Sequence, residues 1–340
     1  MANNRKISSL ADLAFEALLR HRAEMTPNTE AEHDVLMQYK LKKETLSFLQ
    51  SIADGDPDSV KEFLEENPQL AVFACGTVTT SSGNTYENVT AVELAYVLDD
   101  DDMCNSVLLP AIKKLPEFLI KKADEQLAKK MVEVEKQRSE FKPYDFSAIV
   151  KAITADETLK ATGKASLETE EILAKFKEYF KPDVIKFGKS FIKEHLQEGY
   201  KVYDQNWNPW NGRQLLWFLI NIIGTMQCRA EKCFEQACSQ GLKEIVDEKK
   251  PLKRSVKLKN YINDEELTFR GSAGGKLLLS RDFFVEIYWG RGAADWARVV
   301  VLLLGRRRDA AEVLKNYVEQ IDQAWKNLSS SCKTLYTKSC

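Results

Sequence analysis

Histidine, proline and glycine are scarce in this chain, and neither charge sign prevails. The 340 residues include three histidines, His21, His33 and His195. None has a neighbour at a ligand spacing such as HExxH, so no metal site is read from them. A nucleophilic Cys–His pair could still join residues distant in sequence. Nine prolines and fifteen glycines are few for a loop-rich β protein and favour helix. A net charge of -2 gives no global pull toward nucleic acid or anionic lipid. The seven cysteines (Cys75, Cys104, Cys228, Cys233, Cys238, Cys332 and Cys340) are odd in number and form no CxxC pair, which reads as reduced thiols rather than a disulfide framework. Cys340 is the last residue, whereas a prenylation box needs its cysteine four from the end. No apolar run reaches the ~18 residues of a transmembrane helix. Asp12, Glu16 and Arg20 interrupt the first apolar segment, and no classical signal peptide is read there.

The chain does have a stretch with the marks of a core, residues 206–246. Leu215 to Ile223 is almost unbroken apolar sequence, as expected of a helix buried on nearly every side. Cys233, Phe234, Ala237, Leu242, Ile245 and Val246 then recur near helical spacing between charged residues, the pattern of an amphipathic helix covering the first. Gly224 marks a break or a close helix crossing. Trp207 and Trp210 read as a staple at the entry to the core helix. A carbohydrate platform is the alternative use of such rings.

On the N-terminal side, helices are expected over 1–25 and to about Ile52. Asp54-Gly55-Asp56-Pro57 turns into another, which presents Val60, Phe63 and Leu64 and stops at Asn67-Pro68. Thr77 to Thr80 and Thr85 to Val89 are β-prone and flank a Ser-Ser-Gly-Asn turn, so an exposed hairpin is predicted. Thr90 caps a following helix, and Met103, Val107 and Leu108 lie on the next. Residues 111–142 alternate lysines with acids, as a solvated helix does. Further helices are expected at Phe146–Ile153, Leu167–Phe180, Pro182–Gln197 and 309–328, with Gly163 and Gly199 at turns. SVKLKN, LTFRG and KLLLS read as short strands, and FFVEIYW as strand or helix.

Ala53-Asp54-Gly55-Asp56 with Val60, Phe63-Leu64 and Asn67-Pro68 resembles the second half of an ankyrin repeat. Thr90-Ala91-Val92-Glu93-Leu94-Ala95 is similar to the ankyrin T-P-L-H-x-A signature. With the enlarged hairpin, and with WNPWNGRQLLWFLINIIGTMQ, EQACSQGLKEIV and LKRSVKL further on, the chain resembles divergent ankyrin-like effectors that intracellular bacteria inject by type IV secretion. The resemblance covers about half of the chain. It implies a host-protein-binding module that passes from the bacterial cytoplasm to that of a host cell.

Other clusters have structural readings beside functional ones. Gly271 to Lys276 misses phosphate-loop spacing by one residue and has Leu277 where magnesium needs a hydroxyl. It reads as a turn. Asp99 to Asp102 could serve a metal or a nucleotide sugar, or simply open a helix. Arg306, Arg307 and Arg308 are candidates for anion or phosphoinositide contact, or a solvated helix end.

The expectation is therefore a mainly α protein with one ankyrin-like unit (about 53–115), an enlarged β-hairpin and a few short C-terminal strands. Its domains would be 1–142, 143–328 and a polar tail, 329–340. Thr79, Asn84, Tyr86 and Asn88 on the hairpin are the candidate contacts to a host protein. No catalytic, metal or cofactor residue is assigned, and no nucleic-acid partner; membrane contact would be peripheral at most. The alternative function is an enzyme acting on a host target, with a site assembled only by the fold.

Overall fold

The computed structural model describes residues 44–185, 188–240, 245–252, 256–259, 266–269 and 310–337. Residues 1–44 and 45–340 form two compact units, and the elements named here all belong to the second. The expected helices over 1–25, the Gly271–Lys276 turn, KLLLS, FFVEIYW and Arg306–Arg308 lie outside the described residues.

The chain is mainly α, with a small sheet. A helix over 45–53 (α1) precedes α2 (Pro57–Glu66) and the single turn α3 (Leu70–Phe73). Asp56 caps α2 by accepting from the backbone N–H of Asp58 and Ser59, with Pro57 in the first turn, where no amide is needed. Strands β1 (Cys75–Thr79) and β2 (Thr85–Thr90) make the predicted hairpin. Their register pairs Gly76 with Val89 and Val78 with Tyr86. Glu87 and Asn88 thus face Thr77 alone, a bulge on β2. Asn88 takes the left-handed backbone there (φ 52°), which asparagine tolerates better than most residues.

Thr90 and Glu93 close a capping box on α4 (Ala91–Val97). A helix over 101–112 (α5) follows, with a π-helical segment at Cys104–Leu108. The long α6 (Glu117–Glu140) buries a thin stripe, Leu119, Ala123, Leu127 and Val134, much as its alternating charges predicted, but Lys130 is buried with it and pairs with Glu133 at 2.7 Å.

Next come α7 (Ser147–Ala155), α8 (Glu157–Thr162) and α9 (Leu167–Tyr179). Gly163 ends α8 in the left-handed region, φ 79°. The helix expected over Pro182–Gln197 does not form as such. Val184–Ile185 (β3) instead lies parallel to Thr85–Tyr86, which places β2 in the middle of a sheet ordered β1-β2-β3. The helix starts later, as α10 (Ile192–Gln205). Gly188 (φ 79°) and Phe191 (φ 50°) turn the chain before it. Gly199 is not a turn but an interior helical position. A Cβ there would lie 2.8 Å from Met226 and 2.9 Å from Ile223, so two helices cross closely at this glycine.

The apolar run forms α11 (212–227), continuous through Gly224 with a π-helical segment at Leu219–Ile223. Leu215, Phe218, Leu219, Ile222, Ile223 and Met226 are all buried. At ~2 kcal/mol for each such side chain, their burial far outweighs any local irregularity of the backbone. Trp210 is buried beside Phe218 and donates from Nε1 to Thr154 Oγ1 at 2.9 Å, so it does staple the helix entry. The amphipathic helix is α12 (Lys232–Gln240). Strands β4 (Val256–Lys259) and β5 (Glu266–Phe269) pair antiparallel. The last helix, α13 (Ala310–Thr337), continues past residue 329 and sends Leu314, Tyr317, Ile321 and Trp325 into the core. Among the described residues no helix is long and apolar enough to cross a membrane.

Candidate functional site: a polar seam beneath the hairpin

The hairpin turn is not exposed as its composition suggested. Thr80, Ser82 and Asn84 are buried, and Tyr86 is 1% exposed. They surround Glu231, which lies between α11 and α12 and is itself 3% exposed. Glu231 accepts from Tyr86 OH at 2.7 Å, Ser82 Oγ at 3.3 Å and Asn84 Nδ2 at 3.4 Å. Burial pushes the Glu231 carboxyl above its ordinary range, against the downward pull of these donors, Tyr86 first. The Tyr86 phenol is also pushed well up, by burial and then by Glu231. Arg229 braces the same corner, donating from Nε to the Phe180 carbonyl at 2.8 Å and from Nη1 to that of Ser82 at 3.4 Å.

Beside this acid lies a second buried one, held differently. Asp99 adopts a left-handed backbone (φ 56°) that turns its side chain inward. Lys189 Nζ donates to its two oxygens at 2.8 and 3.0 Å, and Lys193 Nζ pairs with it as well. All three side chains are buried. Desolvation alone would raise the Asp99 pKa, but the two ammonium groups outweigh it and hold the carboxyl at about 2. Burial pulls the Lys193 pKa down, and Asp99 more than restores it, leaving it above the usual value. The neighbouring Asp100 caps α5 through the Met103 amide at 2.9 Å. Four successive aspartates therefore divide their work, with Asp99 an internal counter-ion and Asp100 a helix cap.

Lys189 is positioned by its own backbone. Gln137 on α6 donates to its carbonyl (3.1 Å) and accepts from its N–H (2.9 Å). This clamp passes so close to Gly188 that a Cβ there would fall 1.8 Å from Gln137 Oε1. A side chain there would push the Gln137 amide out of the clamp, and the positive φ itself favours glycine.

Between β3 and the start of α10 opens a cavity of about 370 Å³, lined by Asn84, Tyr179, Phe180, Val184, Lys189, His195 and Arg229 among others. His195 sits edge-on to Phe141 and Phe180. Its Nδ1 accepts the Tyr144 amide at 2.9 Å, which places the proton of the neutral ring on Nε2. Burial holds its pKa down at about 4, so the ring is neutral at physiological pH. A larger open groove, about 870 Å³, runs along α7 and α10 past Asp145, Lys151, Glu198 and Asn206. It mixes both charge signs and gathers no comparable set of donors.

Of the four hairpin residues singled out from sequence, Asn84 and Tyr86 are interior ligands of Glu231, while Thr79 and Asn88 are exposed. Arg306, Arg307 and Arg308 fall outside the described residues. Sequence reasoning missed Glu231, Lys189, Lys193 and Arg229. Each is a charged residue with a partner far along the chain, and none stood out locally: Arg229 and Glu231 read as part of the charged side of the amphipathic helix. The structure gives no Cys–His pair at this site: Cys233 donates from Sγ to the Leu98 carbonyl at 2.9 Å, and His195 Nδ1 is engaged by the Tyr144 amide. No known protein family, curated protein or solved structure matches this chain.

Proposed function

We propose that this chain is a protein-binding module, of the effector kind its sequence resembles, that leaves the bacterial cytoplasm and engages a host protein in the host cytoplasm. The observation that carries the reading is the outer edge of β1. Among the described residues β1 pairs only with β2, and Cys75, Thr77 and Thr79 are exposed along it. An edge strand offers backbone groups to a partner strand; of those on β1, the Thr79 carbonyl already accepts from Gln50 Nε2 at 3.2 Å. The Glu231 cluster fixes the far end of the same hairpin, so the edge is presented without a large ordering cost. The order hairpin, helix, helix over 75–112 also suits the ankyrin-like reading.

Exchanging the whole hairpin would be a poor test, because Asn84 and Tyr86 would leave Glu231 buried without partners. Thr77 is the better site. It lies opposite the bulge, so Thr77→Pro removes an edge amide with little damage to the ladder. Affinity capture from eukaryotic cytosol is expected to yield one stoichiometric protein with the unmodified chain and with Thr77→Ala, and to lose it at least tenfold with Thr77→Pro. Equal capture by all three, or no partner for any, refutes the edge-docking reading.

A further inference from the structure

We propose that the cavity between β3 and α10 binds an organic oxyanion, a phosphomonoester or carboxylate carried on an apolar body. Its inner wall supplies donors. Arg229 is tied to Phe180 and Ser82 through Nε and Nη1, which fixes the guanidinium plane and leaves Nη2 to face a ligand. A guanidinium held in plane is well suited to the paired oxygens of phosphate or carboxylate. His195, with Nδ1 occupied by the Tyr144 amide, contributes Nε2–H from the same lining. Lys189 adds positive potential beneath them, although its ammonium is bonded to Asp99.

The cavity rim has the opposite character. Tyr179 and Val184 are 57% and 46% exposed, unusual for residues of their size, and both line the opening with Phe180. An apolar ligand body would cover them. Among the described residues Asp183 is the one carboxylate on the lining. It is exposed, hence solvated, and accepts the Val184 amide at 2.7 Å. The volume, about 370 Å³, lies at the small end of the ~300–1,000 Å³ typical of ligand sites and suits a single-ring acid. The site is independent of the docking edge, because β1 and β3 are opposite margins of the sheet.

The test is calorimetric titration of the full chain with phenyl phosphate and with benzoate at matched ionic strength, alongside the imidazole nitrogen resonances of His195. Saturable binding that moves the Nε2 signal is expected, and the tighter probe tells phosphate from carboxylate. Arg229→Gln is expected to weaken binding about tenfold or more. Because that residue also braces Phe180 and Ser82, Val184→Glu on the exposed rim provides a second test. It places a repelling charge at the opening without touching those bonds, and it should weaken binding severalfold. No binding at ~10 mM probe, or binding unaffected by Val184→Glu, overturns the proposal. So does equal affinity for benzyl alcohol, which lacks the anion, or for inorganic phosphate, which lacks the apolar body.

Discussion

Asp99 and Glu231 are neighbours in one buried seam, yet opposite partners hold them. Asp99 faces two ammonium groups, and its carboxyl stays ionised down to about pH 2. Glu231 faces a phenol, a hydroxyl and an amide, and its pKa moves up instead. Cations repay the desolvation of a buried carboxylate, whereas neutral donors repay only part of it. Comparing the two shows that burial alone does not fix a carboxylate's charge. The nature of its ligands does, and so it also decides how costly the acid is to replace.

The sharpest way to probe the contrast is Asp99→Asn. The change is nearly isosteric but leaves Lys189 and Lys193 buried without a counter-ion. Removing one side of a buried ion pair typically costs ~3–5 kcal/mol, so urea unfolding at pH 7 should show a loss of that order. A loss below ~1 kcal/mol would mean that water or another anion already serves the lysines, and that Asp99 and Glu231 do not differ in the way their ligands imply.

Acid titration separates the groups in a second way. His195 has an ordinary pKa of 6.5 and about 4 in the fold, so below pH 6.5 the unfolded chain binds a proton that the folded chain refuses. Stability should therefore fall by about 3 kcal/mol between pH 6.5 and 4 from this residue alone, and His195→Gln should flatten that part of the profile. The Asp99 contribution lies in a lower window. Its folded pKa is depressed, so its stabilisation is present above 3.8 and is lost as pH falls from 3.8 toward about 2. Two resolvable acid phases are expected, and one merged phase near pH 4.5 would contradict the assignment.

A third buried acid uses backbone donors. Asp156 caps α8 through the Leu159 amide (2.8 Å) and ties it to α9 through the Ser166 amide (2.8 Å) and Thr169 Oγ1 (2.7 Å). Burial opposes its ionisation, but these hydrogen bonds prevail and hold it at about 2. Asp156→Ala should cost ~2 kcal/mol, measurable by thermal unfolding, and Asp156→Asn less, since one carbonyl oxygen survives. Equal losses for both would show that the charge, not the capping geometry, matters here.

The sequence disclosed those parts of the fold whose signals are local. The unbroken apolar run of α11, the helix cap at Thr90, the Asp56-Pro57 start of α2 and the β-prone flanks of the hairpin all express short-range preferences, and each appears where expected. What was misread depends on partners distant in sequence. Ser82, Asn84 and Tyr86 have the composition of an exposed turn, yet they serve an acid some 150 residues away. Val184 and Ile185 looked helical beside the following periodic residues, but β2 was available to pair with them. Lys189 and Lys193, spaced as on any solvated helix face, converge because Gly188 and Phe191 redirect the backbone just before α10. Much of the candidate site was therefore hidden, since a charged residue with a remote buried partner reads the same as one facing water.

The smallest effect should come from Glu231→Gln. The substituted side chain would keep the oxygen that accepts from Tyr86 and Asn84, and its amide would donate to Ser82, whose hydroxyl can reverse. A cost of no more than ~1 kcal/mol at pH 7 is expected, several times less than for Asp99→Asn, although both changes remove a negative charge from the same seam. The pH dependence should also differ in sign. A carboxyl whose pKa is raised on folding stabilises most below its ordinary value, and that advantage fades as pH rises through the higher folded value. Glu231 therefore opposes the acid losses of His195 and Asp99. In Glu231→Gln this opposing contribution disappears, so the acid side of the profile should steepen slightly while the neutral stability barely moves. If Glu231→Gln instead proved as damaging at pH 7 as Asp99→Asn, Glu231 would have to be an ionised partner of Arg229 or Lys189. The seam would then be one charge network rather than two differently held acids.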